Sequence, residues 1–210
     1  YYAIGFRADG SAVLGKPGVK VTADLGYAAD DGFGGSTELV RSVAAVNKAR
    51  TSSGLYLYTY DFNAKHTTGT TETGVNVVCT VERGALAIGS TVTARVDRVE
   101  ETAVTALQPD QIVLSANAQA DSYYTAALRG MREDSEITLT VTGNDGWDDV
   151  EYAVGALYCL AQNGAVTSGL AAGTNPRTAV GQKADGTLIF YTIDGRKSGH
   201  SIGASLTQVG

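Results

Sequence analysis

Three residues near the end of the chain have the types and spacing to handle an anion. Arg177 stands in Asn175-Pro-Arg-Thr178, while Asp194 and Arg196 form Asp194-Gly-Arg196. Between them runs "RTAVGQKADGTLIFYTIDG", two alternating apolar runs joined at Ala184-Asp185-Gly186, which predicts a hairpin. Pairing about that tip brings Arg177 and the Asp194–Arg196 end to one open mouth. A guanidinium is a planar fork that matches carboxylate or phosphate oxygens. Two readings follow from the residues alone. One is an anion pocket with a carboxylate at its edge; the other is an Asp–Arg ion pair that fastens two strand ends.

"AVNKAR" places Asn47 and Arg50 three apart, at the end of what reads as a helix over "STELVRSVAAVNKAR". The pair can reach a common ligand, or serve as an Asn near the cap with a C-terminal cation. Ser201 suits the cap of a final helix or a ligand contact. His66 and His200 have no metal-like spacing and read as loop residues. Trp147 follows Asn-Asp-Gly and reads as packing. No phosphate loop, nucleophile elbow or zinc-helix motif occurs, and no metal or cofactor is expected.

The elements that position these groups read mostly as strands. "YYAIGFRADGSAVLG" predicts a hairpin, "GLYLYTYDF" a strand, "VNVVCTVERG" a buried strand, and "TVTARVDRVEE" and "SEITLTVTG" alternating strands. Asp30 to Ser36 reads as a Gly-rich loop before the helix that Ser36 or Thr37 would cap. "QADSYYTAALRGM" predicts a short helix. "DGWDDVEYAVGALYCLAQNG" predicts a turn, a short helical stretch, a buried segment and an Asn-Gly turn. The expected class is α+β, a mixed β-sheet core with a strand-rich middle and few helices, over one domain spanning residues 1–210. "SIGASLTQVG" begins like a capped helix and stops after a turn, which predicts a truncated domain.

Composition narrows the classes. The 210 residues are 43% hydrophobic and 18% charged, with net charge −6 and 26 glycines. That balance is globular, and the Gly content suits many tight turns. No basic stripe exists to neutralise phosphates, which argues against nucleic acid. No apolar run approaches a membrane span. Cys79 and Cys159 lie in apolar runs and read as buried thiols rather than as a bridge or nucleophile.

"NPRTAVGQKADGTLIFYTIDGRKSGHSIGASL" closely resembles the phosphodiester glycosidase family, which includes N-acetylglucosamine-1-phosphodiester α-N-acetylglucosaminidase and bacterial exopolysaccharide-related members. The shared pattern is Pro-Arg-Thr-Ala-hydrophobic-Gly, a strand pair, Asp-Gly-Arg, then Ser-x-Gly at Ser201 and Gly203. "AVNKARTSSGLYLYTYDF", "TTGTTETGVNVVC", "DQIVLSANAQA" and "WDDVEYAVGALYCLAQNG" resemble other family segments, in order. The resemblance implies cleavage between a sugar's anomeric carbon and a phosphodiester, outside the cytoplasm. It implies catalytic roles for Asp194, Arg196 and Arg177, and substrate contacts from Asn175, Thr178, Asn47, Arg50, Ser201 and Gly203. The implied partner is a carbohydrate phosphodiester, with flanking segments of the same protein completing the domain. Where many members read Gly-x-Glu, this chain reads Gly74-Val75-Asn76; Glu72 is the nearby carboxylate that can stand in.

Overall fold

The computed structural model describes residues 1–30, 36–51, 53–119 and 122–210. The Gly-rich loop expected between Asp30 and Ser36 lies outside the described residues. Along the chain, β1 (Tyr2–Arg7) and β2 (Ala12–Gly15) precede β3 (Lys20–Asp30), β4 (Ser36–Val46) and β5 (Leu55–Thr59). A 3-10 turn (Tyr60–Phe62) leads to β6 (Gly74–Arg83), β7 (Thr91–Thr102), β8 (Gln111–Asn117) and α1 (Ser122–Arg129). Then come β9 (Glu136–Thr142), β10 (Val150–Ala156), β11 (Ala161–Gln162), β12 (Ala165–Val166), β13 (Arg177–Gln182), β14 (Leu188–Ile193) and α2 (Leu206–Val209). The chain is strand-rich with few helices, so it is mostly β, and α+β describes it only loosely. No helix among the described residues is long and apolar enough to cross a membrane.

The chain divides into two compact units, Val19–Gly143 and a second built from Tyr1–Gly18 with Asn144–Gly210. The first is a closed barrel of order β3-β4-β5-β8-β6-β7-β9. Its pairs are antiparallel except β4 with β5, which is parallel. Alternation fixes the inward set: Val92, Ala94 and Val96 on β7, and Ile137, Leu139 and Val141 on β9, are buried. Strands β5, β6 and β8 are buried on both faces. Leu55, Leu57, Val75, Val77, Ile112 and Leu114 fill the barrel. Tyr56, Tyr58, Val78 and Val113 join Leu107 in a second cluster. Truncating a fully buried residue such as Leu57 to Ala should cost about 2–5 kcal/mol. Helix α1 adds Ala127 and Leu128 to the main core.

The stretch 36–46 is a strand and not the helix its apolar spacing predicts. Its exposure alternates strictly from Glu38 through Ala45, with Leu39 and Val43 turned toward the core. Antiparallel pairing to β3 and parallel pairing to β5 satisfy its backbone from both sides. Its valines suit a pleated surface better than a helix interior, and tertiary pairing settles the ambiguity. On β3 the register shifts between Asp24 and Ala28, and Gly26 sits there at φ +70. A Cβ at Gly26 would collide with the Glu136 carbonyl, so this bulge requires glycine.

The second unit holds a three-stranded sheet of order β10-β1-β2 and the hairpins β11–β12 and β13–β14. The β1–β2 and β13–β14 hairpins form as the sequence predicts. Trp147 is buried, and it packs over Gly5, where a Cβ would come within 2.9 Å of its ring. Residues 150–160 depart from the expected short helix and buried segment. Val150–Ala156 is a strand paired with β1, and Tyr152 and Val154 are exposed. Cys159 is consequently half-buried, whereas Cys79 is fully buried.

Candidate functional site

The hairpin mouth is built as the sequence spacing requires. Arg177 pairs with Ile193 at the open end of β13–β14, and Asp194 is the next residue beyond that pair. The chain after Arg196 returns to this end. Asn175 and Ala204 exchange two backbone hydrogen bonds, at 3.1 and 3.0 Å. Arg177 locks that return: its Nε donates to the Ala204 carbonyl at 3.1 Å and Nη2 to the Gly173 carbonyl at 3.0 Å. Gly203 lies at φ +77 against the Asn175 backbone, where any Cβ would clash. Its N–H donates to the Ser201 hydroxyl at 3.1 Å, and that hydroxyl donates to the Asp194 carbonyl at 3.2 Å. Ser201 therefore closes the loop; the cap of α2 is Ser205, whose side chain accepts from Gln208 N–H.

Arg196 donates to the side-chain oxygen of Asn175. Neither arginine forms an ion pair with Asp194 among the described residues. The two guanidinium groups are thus committed differently: Arg177 to backbone carbonyls, Arg196 to one amide oxygen. Arg196 lines an open depression of about 660 Å³ with Thr174, Lys197, Ser198, His200 and Ser201. Thr178 is on β13, exposed and paired with Thr192.

Asn47 and Arg50 belong to the barrel unit. They follow a strand, not a helix, because β4 ends at Val46. Asn47 adopts φ +50 and clasps Thr59, donating Nδ2 to its hydroxyl at 2.8 Å and accepting its N–H at 2.9 Å. Arg50 is buried and donates Nη2 to the Glu72 carbonyl at 2.6 Å. Its guanidinium covers Gly74, where a Cβ would lie 2.7 Å from Cζ. Burial lowers the basicity of Arg50, against the pull of Tyr58 and Glu72. Burial likewise pushes the Tyr58 phenol up, opposed by the Arg50 charge. Arg50 Nε and the Tyr58 hydroxyl are both buried, and among the described residues neither meets a partner in good hydrogen-bond geometry. Beside them lies a second open depression, of about 550 Å³, lined by Thr71, Glu72, Thr73, Asn117 and Gln119. The Glu72 carboxylate accepts from Asn117 Nδ2 at 2.6 Å there.

A family model described as phosphodiester glycosidase matches residues 41–210. The chain belongs to the phosphodiester glycosidase family. No curated protein matches it. Its fold is similar to a crystal structure of a hypothetical protein from Synechocystis, with TM-score 0.59 and 15% identity, covering 99% of this chain and 36% of that one. The chain thus spans 36% of the length of that protein.

Within this family member, Asn76 has a role that its sequence position conceals. It is fully buried, accepts from the Ser115 hydroxyl at 2.6 Å, and donates to the Thr102 carbonyl and Thr105 hydroxyl at 3.0 and 2.9 Å. The site needs a group that both donates and accepts, which a carboxylate cannot do. The sequence singles out neither Lys197, Tyr58 nor Asn117, and His200 is the exposed loop residue it predicts. Lys197 stands beside the Asp-Gly-Arg motif, so its charge next to Arg196 is the available signal. Tyr58 and Asn117 lie on strands brought together by the barrel, and no spacing in sequence announces them. Among the described residues no cluster of His, Cys, Asp or Glu could hold a metal ion.

Proposed function

We propose that the chain carries the substrate-binding framework of a hydrolase that splits a sugar from a phosphodiester at the anomeric carbon, with N-acetylglucosamine-1-phosphodiester as the reference substrate. The observation that carries this reading is Arg196 at a depression that Lys197, His200 and the hydroxyls of Thr174, Ser198 and Ser201 also line, with no acid among the described residues lining it. Family membership supplies the reaction class. In the reaction, water forms a new bond to the anomeric carbon while the carbon–oxygen bond to phosphorus breaks. The electron pair leaves on the phosphomonoester, and the water proton passes to a base. A phosphate leaving group is acidic, so it needs less protonation than a sugar hydroxyl does.

Arg196 is assigned to the developing phosphate charge. Arg177 is assigned to holding the loop that presents Arg196. Asp194 is the carboxylate for activating water or stabilising the oxocarbenium-like sugar. Asn175, Thr178, Ser201 and Gly203 position substrate at this mouth; Asn47 and Arg50, in the barrel unit, brace Thr59 and the Glu72 carbonyl instead. Exposed apolar strand residues such as Tyr152 and Phe190, at 73% and 67% exposure, support coverage by flanking polypeptide of the same protein. The reading places the protein outside the cytoplasm. A non-catalytic phosphoglycan-binding or envelope structural domain is the second reading, motivated by Asn76 in place of a family carboxylate.

The test is release of free sugar and phosphomonoester from a sugar-1-phosphodiester. Arg196→Ala should lower kcat/KM by on the order of 10²–10³, as for loss of one charge-stabilising donor. Turnover unaffected by Arg196→Ala would end this assignment, and binding without turnover in the flank-extended protein would favour the second reading.

A further inference from the structure

The loop 196–202 adds a lysine and a histidine to the one arginine that a single phosphodiester requires. Arg196, Lys197 and His200 line the depression of about 660 Å³, and among the described residues no Asp or Glu lines it. The side chains of Lys197 and His200 make no hydrogen bond or ion pair among the described residues, and both are exposed. This happens in a chain whose net charge is −6. The loop backbone is already used: Lys197 N–H donates to the Ser201 carbonyl at 2.8 Å, and His200 and Ser201 N–H both donate to the Lys197 carbonyl at 3.0 Å. That turn holds the two side chains on a fixed frame and leaves recognition to them rather than to the amides.

We propose that Lys197 and His200 form a second anion subsite, and that the substrate's aglycone carries a further phosphate beyond the scissile one. The inference rests on the sugar-1-phosphodiester reading above and names the class of leaving group it takes. A phosphodiester bears one negative charge, which Arg196 answers. Lys197 sets a second positive charge next to Arg196, and the His200 imidazole adds a hydrogen-bonding group, so the remaining pair is complementary to a second anionic group. Two sources share this chemistry: a repeating phosphodiester polymer and a nucleoside diphosphate sugar.

The experiment measures dissociation constants by calorimetry on the full chain at low salt. Three probes share N-acetylglucosamine-1-phosphate, esterified with methyl, esterified with the free hydroxyl of glycerol phosphate, or joined through a phosphoanhydride to uridine monophosphate. The phosphate-bearing probes should bind about tenfold tighter than the methyl ester, with the preference falling as salt rises. Lys197→Ala and His200→Ala should reduce that preference, lowering affinity for the phosphate-bearing probes by a larger factor than for the methyl ester, and Lys197→Arg should retain it. Tighter binding of the glycerol phosphate probe points to a polymer, and of the uridine probe to a nucleotide sugar; either supports the proposal. Equal affinity for all three, equal losses for all three in Lys197→Ala, or no binding of any probe would overturn it. The hydrolase reading fails separately, when probes bind with the stated preference and none is turned over by the flank-extended protein.

Discussion

Ser115 donates its hydroxyl to Asn76 Oδ1 at 2.6 Å, joining β8 to β6 where both residues are fully buried. The same amide donates to Thr102 and Thr105, and Thr105 passes its own hydroxyl to Glu100 at 2.6 Å. One side chain thereby ties two strands to the chain that follows β7. Asn76→Asp keeps the shape and removes both donated bonds, leaving buried acceptors unpaired beside a carboxylate. The expected loss is on the order of 2–4 kcal/mol. Urea unfolding at pH 7 measures it, and a loss within 0.5 kcal/mol, about the size of an ordinary surface change, would contradict the structural role.

Glu100 predicts a pH dependence. Partial burial pushes its carboxyl up, but the Thr105 hydroxyl and the Arg98 guanidinium together outweigh burial and hold it below its ordinary value. A folded-state value below the unfolded one means stability present above the unfolded pKa and lost as pH falls through the folded one. Thermal midpoints should therefore fall below about pH 4.5, near the ordinary Glu range. Glu100→Gln should flatten that part of the profile. An unchanged acid slope in the variant would show that other groups set it.

The two thiols should differ in reactivity. Cys79 is fully buried, and burial pushes its thiol up to about 12, with Asp97 adding to the effect. Cys159 is half-buried. A thiol reagent at pH 8 should modify Cys159 in the folded chain and reach Cys79 only on unfolding. Mass spectrometry of the native adduct decides this, and labelling of Cys79 at a rate matching Cys159 would refute the barrel interior as drawn.

Arg177→Lys keeps the charge and loses the fork that reaches both Gly173 and Ala204. The loop carrying Arg196 should loosen. Affinity for a sugar-1-phosphodiester should fall by about tenfold or more, since small misplacements of a positioned charge are costly. Hydrogen exchange at Asn175 and Ala204 should rise in step. Wild-type affinity with unchanged exchange would leave Arg177 without the anchoring role.

Gly203→Ala tests the same frame from the backbone. The left-handed conformation and the clash with Asn175 both oppose a methyl group there, at a cost of about 1–3 kcal/mol. Ligand affinity should fall with it; full retention of both would argue against this close approach.

The sequence by itself determined the hairpins, because turn residues and alternation are local: Ala184-Asp185-Gly186 and Asn163-Gly164 need no distant partner. It also determined the mouth at Arg177, Asp194 and Arg196, since hairpin register follows from the tip. The tertiary structure decided the strand at 36–46, whose valines fit either period until β3 and β5 pair with both its edges. It decided that Arg177 braces backbone while Arg196 faces the depression, because the two fates depend on where residues 201–204 return. It decided the burial of Asn76 as well. A side chain's polarity is written in sequence, but whether it meets substrate or a closed ring of partners depends on strands 26 and 39 residues away.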